Sequence, residues 1–566
     1  MMPHRQTKSK NNSLSTVNKQ RKNIQPKNSP TVKGRADSKV APAARPCCRF
    51  AQMKSCTAKW VTYGLGLLSV WAFFTFVYGD VITCAEQNMY VSSEPESMQH
   101  LLTQPWGQLL YASRWVMLLC KWAPVGAAFL ALVMTLTAMA VDYAFRIPRC
   151  LRGMGFIIPA AEIGWMIWRG TNVYYKSEPS LIVLVPLVAL LAAAVLAVFV
   201  AVVKRFVGKS ATVQGESVKG VMVRPWGALI ALALMGGAVG VARTVNENVI
   251  LTARFRNLAD HQEWDTIIEE ATKVKRPTRA VAAYYAIALE ETDQLLDRMF
   301  DIPYDFPKLH LDKLDGSEEY GLFVMDCSFH AGLLNPAYRA AMDHVVMCGP
   351  RVFAYKRMAL CALLNGEKEL CNKYLALIDK MPFEHDFVEK YSAMNENPKL
   401  IDQDEMLSHV KKLYPQESRF EQNYMPPAFL GYNVRLSRGS DYTLITSAAA
   451  CLYSKDLNSF IIRAQIMKQK NMPLSTCMQE AIAVFALKNP EVLQAFPEVN
   501  KFATSQLTSF LLDAKPYVDD REALRQNLKE RWLGTYYYYY YTENNDPSQT
   551  IKDNSSKSAD SSAGVN

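Results

Sequence analysis

The residues with chemistry to offer are spread thinly along this chain. The stretch His261 to Leu289, HQEWDTIIEEATKVKRPTRAVAAYYAIAL, sets Trp264 among Glu263, Asp265, Glu269 and Glu270. Clustered carboxylates beside an aromatic ring are the raw material of acid–base catalysis. Their spacing argues otherwise: Ile267, Ile268 and Ala271 form one apolar stripe, and the acids fall between its members, as on the solvated face of an amphipathic helix.

Other candidates fare similarly. The twelve cysteines include no CxxC, and only Cys47 and Cys48 are adjacent. Cys327, Cys348, Cys361, Cys371, Cys451 and Cys477 lie mostly in helix-like segments, where cysteine serves as a small buried hydrophobe, although an oxidising compartment would permit disulfides. His261, His310, His330, His344, His385 and His409 form no HExxH or comparable zinc spacing. Ser440-Asp441 and the Cys327/His330 pair can be drawn as nucleophile schemes, but packing explains them more simply. There is no phosphate-cradling glycine loop. The expectation is therefore no catalytic, metal or cofactor-binding residue and no cofactor. Glu162, with Arg169, is the exception to weigh: an intramembrane carboxylate is costly and often functional, while the structural alternative has it facing the bundle, protonated, or paired with Arg169 or Lys121.

The elements around these residues divide the chain. Residues 1–59 hold fourteen Lys or Arg against Asp37 alone, a formal charge of +13, and the remainder is −3. Such a Ser/Asn/Pro/Lys-rich head buries little and is expected to be disordered. A basic arm can neutralise nucleic-acid phosphates, but an apolar run opens directly at Trp60, and basic residues before a span hold a chain end in the cytoplasm. No nucleic-acid partner is expected.

Five spans are expected, near 60–79, 122–141, 156–175, 181–203 and 226–243, each close to the ~20 residues that cross a bilayer. Trp60, Trp115, Trp122, Trp168 and Trp226 suit the interfacial belt. The third segment is short and carries Pro159, Glu162 and Arg169. Charge decides for it. Arg146, Arg149 and Arg152 fall beside the basic head, and Lys204, Arg205, Lys209, Lys219 and Arg224 join them only if the third segment crosses, whereas Asp80–Ser113, with several acids and no Lys or Arg, falls outside. Gly236 and Gly240 form GxxxG, a spacing that permits close helix approach.

Residues 244–543 read as an all-helical domain, with apolar residues recurring at three and four in Glu263–Thr272, Arg279–Met299, Ala337–Val346, Val352–Leu364, Glu367–Lys380 and Asp404–Leu413. In YKRMALCALLNGEKELCNKYLALIDKMP the order Tyr355, Met358, Ala359, Ala362, Gly366, Cys371, Leu375, Ile378, Pro382 resembles a tetratricopeptide repeat, in which small residues let paired helices approach. In the same frame Trp264, Ile268 and Tyr285 are packing positions of the first unit, as are Tyr355, Ala359, Gly366 and Leu375 of the later one. The run Tyr536–Tyr541 reads as a terminal cap with hydroxyls outward, or as a stacking platform for sugars. Residues 544–566 are a polar tail.

From EWDTIIEEA through YYAIALEETDQLLDRMF to RWLGTYYYYYY the chain resembles an uncharacterised family of Bacteroidetes inner-membrane proteins with a TPR-like C-terminal part. The resemblance implies an inner-membrane location and assigns no active-site residue. The fold expected is thus all-α: a polytopic membrane domain of about five spans, then a TPR-like helical-repeat (α-solenoid) domain. The function expected is a membrane-anchored scaffold, with membrane lipid and a periplasmic or membrane-associated protein as its partners. The alternatives are a membrane enzyme or transporter acting on lipid-linked or envelope substrates, and a sugar-binding module.

Overall fold

A computed structural model of the chain describes residues 53–149, 151–169, 178–207, 222–223, 226–245, 247–304, 322–414, 420–421, 433–434, 440–499 and 502–542. The basic head, the polar tail, His310 and the Arg169 side chain lie outside the described residues.

The first part is helical: α1 Ser55–Phe76, α2 Gly79–Gln87, α3 Gly107–Met117, α4 Ala123–Ala144, α5 Ile157–Arg169, α6 Leu181–Val207 and α7 Trp226–Val245. Three of these, α4, α6 and α7, are long and apolar enough to cross a membrane, and α1 with α2 makes a fourth if that pair, bent by 62°, is one span. By length and composition this is fewer than the five expected. The difference is the segment 156–175: its described helix α5 has 13 residues, about 20 Å of rise, against a hydrocarbon core of about 30 Å.

A buried carboxylate knots one end of the bundle. Asp142, near the end of α4, accepts the Tyr63 hydroxyl at 2.6 Å and the backbone N–H groups of Gly153 and Gly155 at 2.7 and 2.8 Å. A buried charge is tolerated when its lone pairs are filled in this way. Glycine is required nearby by close approach. A Cβ on Gly155 would lie 2.2 Å from the Ala138 carbonyl oxygen, and one on Gly227 would lie 1.4 Å from that of Arg152. The GxxxG pair behaves otherwise: among the described residues a Cβ on Gly236 or Gly240 would meet nothing within 4 Å, so no described helix approaches closely at these two glycines. At the same end Lys204 of α6 sits 4.8 Å above the ring of Tyr143 in α4.

The opposite end is held by ion pairs. Arg114 of α3 is 2 % exposed. It donates to the Tyr90 carbonyl at 2.8 Å and grips Glu178, just before α6, through two bonds of 2.8 and 2.6 Å. The starts of α4 and α6 thus share one end of the bundle and Tyr143 and Lys204 the other, so these two helices run in the same direction. The chain between them must return across the bundle, and α5 is part of that return.

The longer helices among the described residues that follow are α8 Glu247–Asp260, α9 Trp264–Thr272, α10 Arg279–Glu291, α11 Leu334–Cys348, α12 Val352–Leu364, α13 Lys368–Asp379, α14 His385–Glu396, α15 Glu405–Leu413, α16 Asp441–Tyr453, α17 Leu457–Gln469, α18 Thr476–Ala486, α19 Phe502–Ala514, α20 Arg521–Trp532 and α21 Tyr536–Thr542, with short single turns between some of them. Among the described residues the only strands are two isolated antiparallel ladders of two residues each, Met53–Lys54 with Met222–Val223 and Phe420–Glu421 with Asn433–Val434. Neighbouring helices such as α9 and α10, or α12 and α13, pack on each other in sequence. The expected helix Arg279–Met299 is broken after Glu291, where Asp293 takes a left-handed φ of 57°.

The helical layer is seated on the segment after α2. The Val352 amide donates to the Met89 carbonyl at 3.1 Å, the buried Arg351 guanidinium donates to the Asn88 carbonyl, and the Tyr90 hydroxyl donates to the Leu377 carbonyl at 3.0 Å. Buried backbone groups on both sides are thereby satisfied, and the domain is bonded to the membrane part rather than strung from it.

Candidate functional site

The packing residues read from the sequence are placed as follows. Trp264, Ile268 and Tyr285 are buried at 8, 3 and 0 % exposure, and Tyr355, Ala359 and Leu375 are buried too. Gly366 makes the turn between α12 and α13 at φ +73°. The acids around Trp264 do not converge: Glu269 pairs with Lys273 at 2.6 Å and Glu270 with Arg254 at 2.7 Å, both toward solvent. Ser440 caps α16, accepting from the Thr443 amide. Cys327 is fully buried, and burial holds its thiol well above the ordinary range, so it offers no thiolate. Glu162 is 7 % exposed and neither carboxylate oxygen has a partner among the described residues. Of the alternatives for Glu162, pairing with Lys121 does not form, because Lys121 bonds Glu384 and the Phe383 carbonyl instead.

The tyrosine run departs from the outward-facing cap. Tyr536 to Tyr539 are buried, and their hydroxyls turn inward: Tyr537 donates to the Ala503 carbonyl at 2.7 Å, Tyr538 to that of Arg525 at 3.1 Å, and Tyr539 to that of Tyr453. Phe300 lies 4.6 Å from the Tyr539 ring centroid. A helix carrying six successive tyrosines has no polar side, so it packs on every face. These four rings present no stacking surface for a sugar.

The convergence of polar groups lies elsewhere, in a cavity of about 520 Å³ at the seam between the two parts. Its floor comes from Thr83 and Gln87 of α2 and from Lys121 and Trp122, the residues just before α4. Its walls come from α8, α10, α12 and α14 and the turn around His330. Five basic side chains (Lys121, Arg256, Lys356, Arg357, Lys390) face it with three acids (Asp260, Asp326, Glu384). Glu384 is 3 % exposed and is shared by Lys121 at 3.2 Å and Lys356 at 2.7 Å. Burial alone would raise its carboxyl, but the two ammonium groups outweigh burial and hold it below the usual carboxylate range. Arg357 pairs with Asp326 at 2.9 Å and lies 4.1 Å above the Phe329 ring.

Deeper in the wall, His330 Nδ1 lies 2.6 Å from Glu291 Oε1, and its ring stands edge-on to Trp264. Burial lowers the imidazole to about 3, Arg357 adding to the effect, and burial raises the Glu291 carboxyl to about 8. Both directions favour an uncharged pair that carries one proton between carboxyl and Nδ1 near neutral pH. Such a pair can present a proton donor or acceptor to the cavity without burying net charge. The adjacent Glu290 accepts from Thr446 at 2.6 Å, while its other oxygen has no partner among the described residues.

Burial lifts Glu290 to about 8 as well. A carboxyl raised on folding contributes stability that is present below its unfolded value and lost as pH rises through the folded one. Glu290→Gln is accordingly expected to stabilise the protein at pH 8 and to do so much less at pH 5. Thermal unfolding in detergent at the two pH values checks this.

Among the described residues no group of three or more His, Cys, Asp or Glu is placed to hold a metal. Glu291, Lys356, Arg357 and Glu384 were not anticipated from sequence. The local signal for Glu291 is a Glu-Glu pair directly after the apolar run AVAAYYAIAL, too apolar all round to leave its C-terminal end exposed.

A model of a family of unknown function, DUF6057, matches residues 54–202 and 166–543. No curated protein and no solved structure matches.

Proposed function

We propose that this chain, which belongs to the DUF6057 family of unknown function, is a membrane-anchored helical scaffold of the bacterial inner membrane that presents a TPR-like domain to the periplasm and binds a protein or peptide there. The observation that carries the reading is the seam, where a backbone bond and the buried arginines Arg351 and Arg256 lock the helical layer onto the segment after α2. A domain fixed in this way holds its exposed surface at a set height above the bilayer, which raises effective concentration for a membrane-borne partner. Exposed apolar side chains at Ile462, Leu512 and Val518, 57, 66 and 73 % accessible, are available for that contact.

Two features support the orientation. The chain returns between the parallel helices α4 and α6, which is consistent with five crossings even though α5 is short. Lys204 and the Arg146–Arg152 loop lie toward the bundle end opposite the helical domain, as the positive-inside rule requires of a cytoplasmic face. A photo-crosslinking residue at Leu512 or Ile462 of the full chain, in cells, should give one discrete adduct with a membrane or periplasmic protein. The absence of any adduct from either position contradicts the reading.

A second reading, a membrane enzyme or transporter acting on lipid-linked or envelope substrates, draws on the Glu291–His330 pair in the cavity wall and on the unpartnered Glu162. Glu162→Gln separates the two. The scaffold reading expects unchanged abundance and unchanged crosslinking, whereas a carboxylate mechanism expects the variant, still folded, to fail to replace the wild-type protein in a deletion strain.

A further inference from the structure

The seam cavity is lined by charged side chains and lies at one end of α4, a helix long and apolar enough to cross a membrane. Its lining holds five basic side chains against three carboxylates, and the pairing within it does not cancel that excess, because Lys121 and Lys356 share the single carboxylate of Glu384. Asp404, just outside the lining, pairs with Lys390 at 2.7 Å, so five basic side chains face four carboxylates and an excess of one positive charge is left. The ammonium groups are held in place by aromatic rings as well as by charge: Lys356 lies 5.1 Å from the Phe387 ring centroid and Lys390 5.1 Å from that of Tyr391.

One side of the cavity is Lys121-Trp122, immediately before α4. Trp122 is 48 % exposed and stacks edge-on, at 5.1 Å, against Phe383, itself 54 % exposed. Half-exposed aromatic rings at the start of an apolar span mark the headgroup level of a bilayer. The basic lining therefore meets the layer in which lipid headgroups lie, and basic side chains at that level attract anionic headgroups.

We propose that the seam cavity binds the anionic, phosphate-bearing headgroup of a membrane amphiphile, with Lys356, Lys390 and Lys121 as its cationic contacts and Trp122 and Phe383 against the start of the acyl chains. The site goes beyond the scaffold reading and does not rest on it: a lipid occupies the seam whichever partner the outer helices bind.

The test uses the full chain, purified in a non-ionic detergent and stripped of lipid, with native mass spectrometry counting what rebinds. Phosphatidylglycerol should be retained about tenfold better than phosphatidylcholine, and Lys356→Gln and Lys390→Gln should each weaken that retention about fivefold. Lys411→Gln, a surface lysine paired with Asp402, should leave it unchanged. Equal retention of the two lipids by the wild-type chain overturns the site, and this comparison depends on no variant folding. Retention unaltered in both lysine variants overturns the assignment of the contacts. Inorganic phosphate distinguishes the source. Displacement of phosphatidylglycerol only at large molar excess supports a lipid ligand, whereas displacement at equal concentration overturns the lipid and leaves phosphate itself as the ligand.

Discussion

Arg114→Ala is expected to destabilise the protein by about 3–5 kcal/mol, the cost of removing one partner of a buried ion pair. Arg114 is 2 % exposed and Glu178 17 %. Truncation leaves the Glu178 carboxylate facing Ser180 and the more distant charge of Arg351, and it orphans the Tyr90 carbonyl. Lysine should rescue little, since a single ammonium cannot reproduce the two parallel bonds. The loss reaches beyond one contact because the pair ties α3, the start of α6 and the Tyr90 segment together, and Tyr90 in turn bonds the helical domain at Leu377.

The same pair predicts an acid response. Burial alone would raise Glu178, but its hydrogen bond to Arg114 and the charges of Arg114 and Arg351 outweigh burial and hold it below the usual carboxylate range. A depressed carboxyl contributes stability that is present above its unfolded value and lost as pH falls through the folded one. Wild-type melting temperature should therefore drop as pH falls below the ordinary glutamate range near 4.3. In Arg114→Ala that part of the drop should be absent. Melting curves of both proteins across pH 3 to 7, in one detergent, supply the comparison.

Tyr285→Ala is the second large effect, about 3–5 kcal/mol by analogy with other buried aromatic truncations. Tyr285 is fully buried within α10, and its hydroxyl donates to the Arg298 carbonyl at 2.7 Å, past the break at Asp293. Tyr285→Phe keeps the ring and loses only that bond, at about 1–2 kcal/mol. The gap between the two variants measures packing against hydrogen bonding. Equal losses would mean that the ring itself contributes little, contrary to its position.

How much of this was legible beforehand differs between elements. Helix Val352–Leu364 has the bounds its periodicity predicts, because apolar residues at three and four spacing and the Asn365-Gly366 turn are local signals. The break at Asp293 was not legible: nothing in LEETDQLL forces a left-handed aspartate, and the Tyr285–Arg298 bond across it is a tertiary contact. The span at 156–175 was read from apolar content and loop charge, neither of which measures where a helix stops. Hydroxyls favour water, which predicts an outward tyrosine run, yet three of the hydroxyls bond backbone carbonyls within the fold.

The cavity was the least legible feature. Lys121, His330, Lys356 and Glu384 lie far apart in the chain and meet only when the helical layer seats on the α2 segment. Sequence spacing sets His330 beside Cys327, whereas its bonding partner is Glu291. The stretch from Trp264 does contribute to the site, but through its ring, which stands against His330, and not through its acids.

We propose that the helical domain sits on the face of the membrane away from the cytoplasm, bonded to the helices that span it. Lys411 is half exposed on that domain, and of the domain's described cysteines only Cys348 is not buried. Lys411→Cys, introduced into full-length protein carrying Cys348→Ala, can therefore be probed in intact spheroplasts with a membrane-impermeant maleimide. The account predicts labelling of residue 411 before lysis. Labelling of that position only after lysis would contradict it.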